Sequence, residues 1–96
     1  MSRSCKLNCT VSAGMFANEF MAKVTALRPD GEQKTVHLFV DQRCLENVNV
    51  NAKREGSALL RAVEVSKSSA GIGVVLPQAT FENGPSLLVP RATVSK

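Results

Sequence analysis

Apolar and polar positions alternate most cleanly between Glu19 and Asp41. In EFMAKVTAL the residues Phe20, Ala22, Val24 and Ala26 are apolar, while Glu19, Lys23 and Thr25 point the other way. In KTVHLFVD, Val36, Leu38 and Val40 alternate with Thr35, His37 and Asp41. A period of two is that of a strand with one buried face. Between the arms, Arg28-Pro29-Asp30-Gly31 joins a proline with preset φ to a glycine free to take positive φ, which is tight-turn chemistry. The stretch is therefore expected to form a β-hairpin. Pairing Val24 with Leu38, Ala22 with Val40 and Ala26 with Val36 puts both apolar sets on one side. Lys23 then faces Phe39, and Thr25 faces His37, on the other.

The same alternation recurs before the hairpin. Cys5, Leu7, Cys9 and Val11 share one side of Cys5–Ser12, with Lys6, Asn8, Thr10 and Ser12 on the other. Pairing this strand antiparallel with Phe20–Leu27 gives a three-strand meander, and residues 1–4 are expected to fray. Residues 42–56, QRCLENVNVNAKREG, are polar and uneven. They read as a long connection with one helical turn around Arg43–Asn47, tacked to the core by Leu45, Val48 and Val50.

Residues 57–69 carry two signals. Ser57 is a fit helix N-cap, Gly71 a fit C′ residue, and Leu59, Leu60 and Val63 would share a helical face. Yet Ala62-Val63-Glu64-Val65-Ser66 alternates like a strand, and Lys67-Ser68-Ser69-Ala70 suits a hairpin loop leading into Gly71–Leu76. The serines weigh for the hairpin. Ile72, Val74 and Leu76 then face inward, Gly71 and Gly73 leave room for close approach, and Pro77 ends the strand. Phe81 is expected to plug a gap, with Asn83-Gly84-Pro85 turning the chain into a last strand, Ser86–Val94. Pro90 has no amide to donate, so that strand is expected at an edge or bulged.

These elements predict an all-β fold: a small antiparallel barrel or strongly curled sheet of five to six strands, in one domain over residues 1–96. The alternative is an α+β chain with a helix at about 57–69. In outline such a chain resembles the SH3-like and OB-type barrels, without a motif that singles out a family. Composition agrees. Ninety-six residues suffice for one core, and 44% hydrophobic with 21% charged residues is ordinary for a globular chain. With four Phe and no Trp or Tyr, the core must be built of Val, Leu and Ala.

Charge and cysteines narrow the setting. The net charge of +4 is spread along the chain with no block of five or six like charges, unlike a basic nucleic-acid-binding tail. The first residues, MSRSCKLNCTV, lack the apolar core of a signal peptide, and no stretch is apolar enough to span a membrane. An odd count of three cysteines then suggests reduced thiols, and a cytoplasmic location is expected.

Candidate chemistry is sparse. Cys5 and Cys9 have a zinc-like spacing, but four residues of strand span about 13 Å, whereas ligands of one zinc lie within about 4 Å of each other. No metal or cofactor is expected. His37 and Cys44 could form a nucleophile–base pair only if a strand end and a loop brought them together. The acids show no converging spacing, and Gly71-x-Gly73 lacks the other parts of a phosphate loop. The chain therefore reads as a non-catalytic binding or protein-interaction module with a protein partner. The alternative is a nucleic-acid-binding small β-barrel. Either ligand would be met by Lys23, Phe39, Arg43, Lys53 and Arg54, an aromatic with cations around it. An open edge, at the last strand or at Cys5–Ser12, would also allow a homodimer.

Overall fold

The computed structural model describes residues 3–82 and 84–95. Seven strands follow in order: β1 (Arg3–Ala13), β2 (Glu19–Leu27), β3 (Gln33–Asp41), β4 (Leu45–Val50), β5 (Gly56–Lys67), β6 (Ile72–Val75) and β7 (Ser86–Val89). They form one antiparallel sheet, ordered β3-β2-β1-β5-β6-β7 with β4 also on β5, curled into a half-barrel. The all-β reading holds, and among the described residues there is no α-helix.

β2 and β3 make the expected hairpin with a register two residues away from the expected one. Val24 lies opposite Val36, Ala22 opposite Leu38 and Phe20 opposite Val40. Lys23 consequently faces His37, and Met21 faces Phe39. A shift of two preserves the parity of the pleat, so the same apolar set stays inside and is buried. The turn sets the register. Arg28 N–H donates to the Glu32 carbonyl at 2.8 Å and Gly31 N–H to the Arg28 carbonyl at 2.9 Å. Gly31, at φ +89°, supplies the left-handed residue this closure needs.

β1 is interior. It pairs with β2 through Thr10–Ala13 and with β5 from Arg3 to Val11, so Arg3 and Ser4 are laddered rather than frayed. The Cys5–Ser12 segment is therefore no open edge on the β5 side. Where β2 has diverged, Leu7 bridges to Val94, and Ser95 N–H donates to the Lys6 carbonyl at 2.8 Å.

Residues 42–56 are more ordered than an open connection. A 3₁₀ turn, Gln42–Cys44, replaces the helical turn expected at Arg43–Asn47, and the Asp41 side chain caps it by accepting from Arg43 N–H. β4 follows directly. Its alternation is hidden because only Leu45 is buried, Asn47 takes φ +51°, and the pairing with β5 shifts between Glu46 and Asn49.

The helix alternative at 57–69 gives way to the long strand β5. Ala58, Leu60 and Ala62 form its buried row, and Val63, assigned to the helical face, is 39% exposed. β5 turns into β6 with Lys67 opposite Ile72, and Ser68 N–H donates to the Gly71 carbonyl. Ile72, Val74 and Leu76 are buried as expected. The last strand stops early: β7 ends at Val89, and Pro90 precedes a 3₁₀ turn, Arg91–Thr93, instead of lying mid-strand. The turn expected at Asn83-Gly84-Pro85 includes Asn83, which lies outside the described residues.

The core is aliphatic. Leu7, Leu38, Leu60, Val24, Val36, Val40, Val74 and Val89 are the largest fully buried side chains, and Phe20 is the one aromatic among the buried hydrophobics. Among the described residues no helix is long and apolar enough to cross a membrane.

Candidate functional site

β3 ends the sheet, pairing only with β2 among the described strands. The middle of its free edge is covered by the segment 80–82. His37 N–H donates to Glu82 Oε1 at 2.8 Å, and the His37 carbonyl accepts from Phe81 N–H at 2.8 Å. The His37 ring Nδ1 also meets Glu82 Oε2 at 2.6 Å. Hydrogen bonds from the His37 backbone and ring hold the Glu82 carboxyl below its usual pKa. His37 is thus clasped by an acid and stands across from Lys23, not from Thr25.

This clasp positions Phe81. It fills no gap in the core but stands 59% exposed, edge-on to Phe39 with ring centres 5.2 Å apart. Phe16, 69% exposed, lines with Phe39, Asp41 and Gln78 a shallow pocket of about 340 Å³. Phe16 sits in the β1–β2 loop, which its own hydrogen bonds hold: Gly14 N–H to the Glu19 carbonyl at 3.0 Å and Glu19 N–H to the Phe16 carbonyl at 3.1 Å. Three of the four phenylalanines thus gather in contact with water beside β3. Met15, at 75% exposed, adjoins them in sequence. A held cluster of exposed rings is the kind of surface that marks an interaction site.

Of the five expected contact residues, Lys23 and Phe39 share the outer face of the β2–β3 hairpin. Arg43 lies just past β3, its Nε 3.2 Å from Asp41 Oδ1. Hydrogen bonds from the Arg43 backbone and side chain lower the pKa of Asp41. Lys53 and Arg54 occupy the β4–β5 turn, from which Arg54 Nη2 reaches the carbonyl of Glu19, a residue of the pocket that Phe16 and Phe39 line. Lys53 is exposed, whereas Arg54 folds back over Phe20 with its guanidinium carbon 4.5 Å from the ring centre. Sequence reasoning missed Phe16 and set Phe81 inside. The usable signal was that both lie in stretches without alternation, where an aromatic has no strand face to bury it.

The surroundings of the rings are of mixed sign. Glu19, Asp41 and Glu82 stand near them, with Lys23, Arg43 and Arg54.

Two of the thiols, Cys5 and Cys9, are disfavoured as thiolates. Burial pushes Cys9 up to about 11, and its Sγ lies 3.5 Å from the Ala58 carbonyl. Burial, with the nearby Glu64 charge, raises Cys5 as well. Cys44 packs against the core, and no hydrogen bond or ion pair joins it to His37 among the described residues. Nor, among those residues, are three His, Cys, Asp or Glu side chains grouped as metal ligands would be. No family model matches this chain, and neither the curated proteins nor the solved structures yield a match.

Proposed function

We propose that this chain is a non-catalytic protein-interaction module whose docking face is the Phe16–Phe39–Phe81 cluster beside β3. The observation that carries this is the exposure of two of the rings, Phe16 and Phe81, on segments held in place by hydrogen bonds. Phenylalanine rings each bury roughly 150–250 Å² in a contact, and a few such anchors near the centre of an interface supply most of its energy. Because the 80–82 segment occupies the edge of β3 at His37, the partner meets side chains here and does not extend the sheet at that point.

Charge selects the partner. Three acids and three cations stand around the rings, a mixed-sign rim that suits a protein with aliphatic anchors and charges of both signs better than a polyanion. The free thiols at Cys5, Cys9 and Cys44 suit a reducing compartment such as the cytoplasm.

Nucleic acid is the second reading, favoured by the one feature that bases share with apolar side chains: they stack on exposed rings. Two experiments separate the readings. Affinity capture with the wild type and with F16S/F81S should show partners lost with the rings and kept in K53A. Titration with single- and double-stranded oligonucleotides at about 50 and 200 mM salt should show no steeply salt-dependent binding. Such binding, abolished by K23A or by F16S/F81S, would replace the protein partner with nucleic acid.

A further inference from the structure

The edge of β5 opposite β1 is shared by two strands laid end to end. β4 pairs with it up to Leu45 opposite Leu60, and β6 takes over at Val75 opposite Val63. Arg61 and Ala62 are left without a neighbouring strand on that edge. At this break lies a groove of about 530 Å³, within the roughly 300–1,000 Å³ of small-molecule sites. Its walls are mainly apolar, formed by Cys5, Ala62, Val63, Val75, Leu76 and Pro77 with Ser4 beside them.

Polar groups lie at the rim and are unbalanced. Lys6 Nζ is 2.9 Å from Glu46 Oε1, and Arg61 Nε is 2.8 Å from Glu46 Oε2. Two cations thus share one carboxylate, and beyond them Glu64, whose charge reaches Cys5, stands opposite Arg3, so one positive charge is left in excess beside the apolar trough. Arg61 engages Glu46 through Nε, so its terminal N–H groups remain free to donate to a second carboxylate in forked geometry. The break is two residues long, about 7 Å of strand, and too short for an added peptide strand to ladder into. An unbranched chain needs no ladder.

We propose that this groove binds a free linear aliphatic carboxylate, its chain along Val63, Val75 and Leu76 and its head group on Arg61 and Lys6. The site is separate from the aromatic cluster, so either proposal can fail alone.

The test is a titration of isotopically labelled protein with decanoate and, separately, decanol, each below its aggregation threshold, followed by NMR. Saturable shifts are expected at the Val63, Val75 and Leu76 methyls and at Arg61 Nε, with decanol at least tenfold weaker. E46Q, which frees both cations, should bind decanoate several-fold more tightly, and K6A/R61A should bind it no better than decanol. No saturable shift, equal affinity for acid and alcohol, or shifts centred elsewhere would overturn the proposal. The comparison of the two ligands on the wild type needs no variant, so it stands even if a substitution disturbs folding.

Discussion

Arg54 lies over Phe20: its guanidinium carbon is 4.5 Å from the ring centre, and Nη2 donates to the Glu19 carbonyl at 3.3 Å. The arginine closes the core over its one buried aromatic. It does so from a left-handed backbone, φ +61°, in a turn that repeats the β2–β3 turn bond for bond. Asn51 N–H donates to the Glu55 carbonyl and Arg54 N–H to the Asn51 carbonyl, as Arg28 does to Glu32 and Gly31 to Arg28. Arg54 therefore stands where the other turn has glycine.

Two opposing contributions at one residue can be separated. R54A removes the ring contact and the hydrogen bond while keeping a Cβ in the left-handed region, and should cost about 1–2 kcal/mol. R54G removes the same contacts but relieves the backbone, and should recover about 1 kcal/mol of that loss. Urea denaturation of the three proteins checks both values. A fully stable R54A would show that the arginine contributes nothing to the core.

Much of this fold was legible because a strand with one wet face writes its period into the chain. Cys5–Ser12 and the Glu19–Asp41 hairpin show it, and their buried rows are the expected ones except that Cys5 is only half-buried. β4 was not legible, since a bulge and a left-handed Asn47 break its period and only Leu45 is buried. Register was harder than parity: the alternation fixes which side chains point inward, whereas the turn's hydrogen bonds decide which residues face each other. The aromatic cluster was legible only at Phe39. Phe16 and Phe81 lie in loops, and what places them is the Glu82 clasp and the bonds around Glu19, contacts between distant stretches that no local pattern records.

The Glu82 clasp should respond to acid. Its carboxyl titrates below the ordinary 4.5 in the folded chain because His37 donates to it. A depressed folded pKa means that the stabilising contribution is present above about 4.5 and is lost as pH falls through the lower folded value. The amide resonances of His37 and Phe81 should therefore move together in an acid titration, with a midpoint below 4.5. E82Q should flatten both curves. Midpoints at or above the ordinary value would mean that the clasp does not hold in solution.

Gly56 and Gly73 should tolerate alanine unequally. A Cβ on Gly56 would lie 2.0 Å from the Asn49 carbonyl oxygen, which is backbone in the paired strand and cannot swing aside. On Gly73 the nearest atom, at 2.2 Å, is the Ser66 hydroxyl, the end of a side chain that can rotate. G56A should cost about 1–3 kcal/mol, as overpacking does, and G73A less. Thermal or urea unfolding measures the difference. A reversed order would show that the β4–β5 pairing yields more readily than its geometry implies.

Alkylation should rank the thiols by access and ionisation. Cys9 is 8% exposed, and burial raises its pKa to about 11, so at pH 8 the native chain holds almost none of it as thiolate. Cys5 lines the open groove at the β4–β6 break and is half-buried, so its thiol can be reached even though its pKa is also raised. Under iodoacetamide, mass spectrometry of the native protein should find Cys5 modified well before Cys9, with Cys9 labelled only as the chain unfolds. Raising the pH towards 10 should speed the modification of Cys5 far more than that of Cys9, because ionisation limits the first and burial the second. Equal rates in the native state would mean that the Leu7–Cys9–Val11 row opens on the time scale of labelling, and that the β1–β5 pairing is weaker than its nine-residue register suggests.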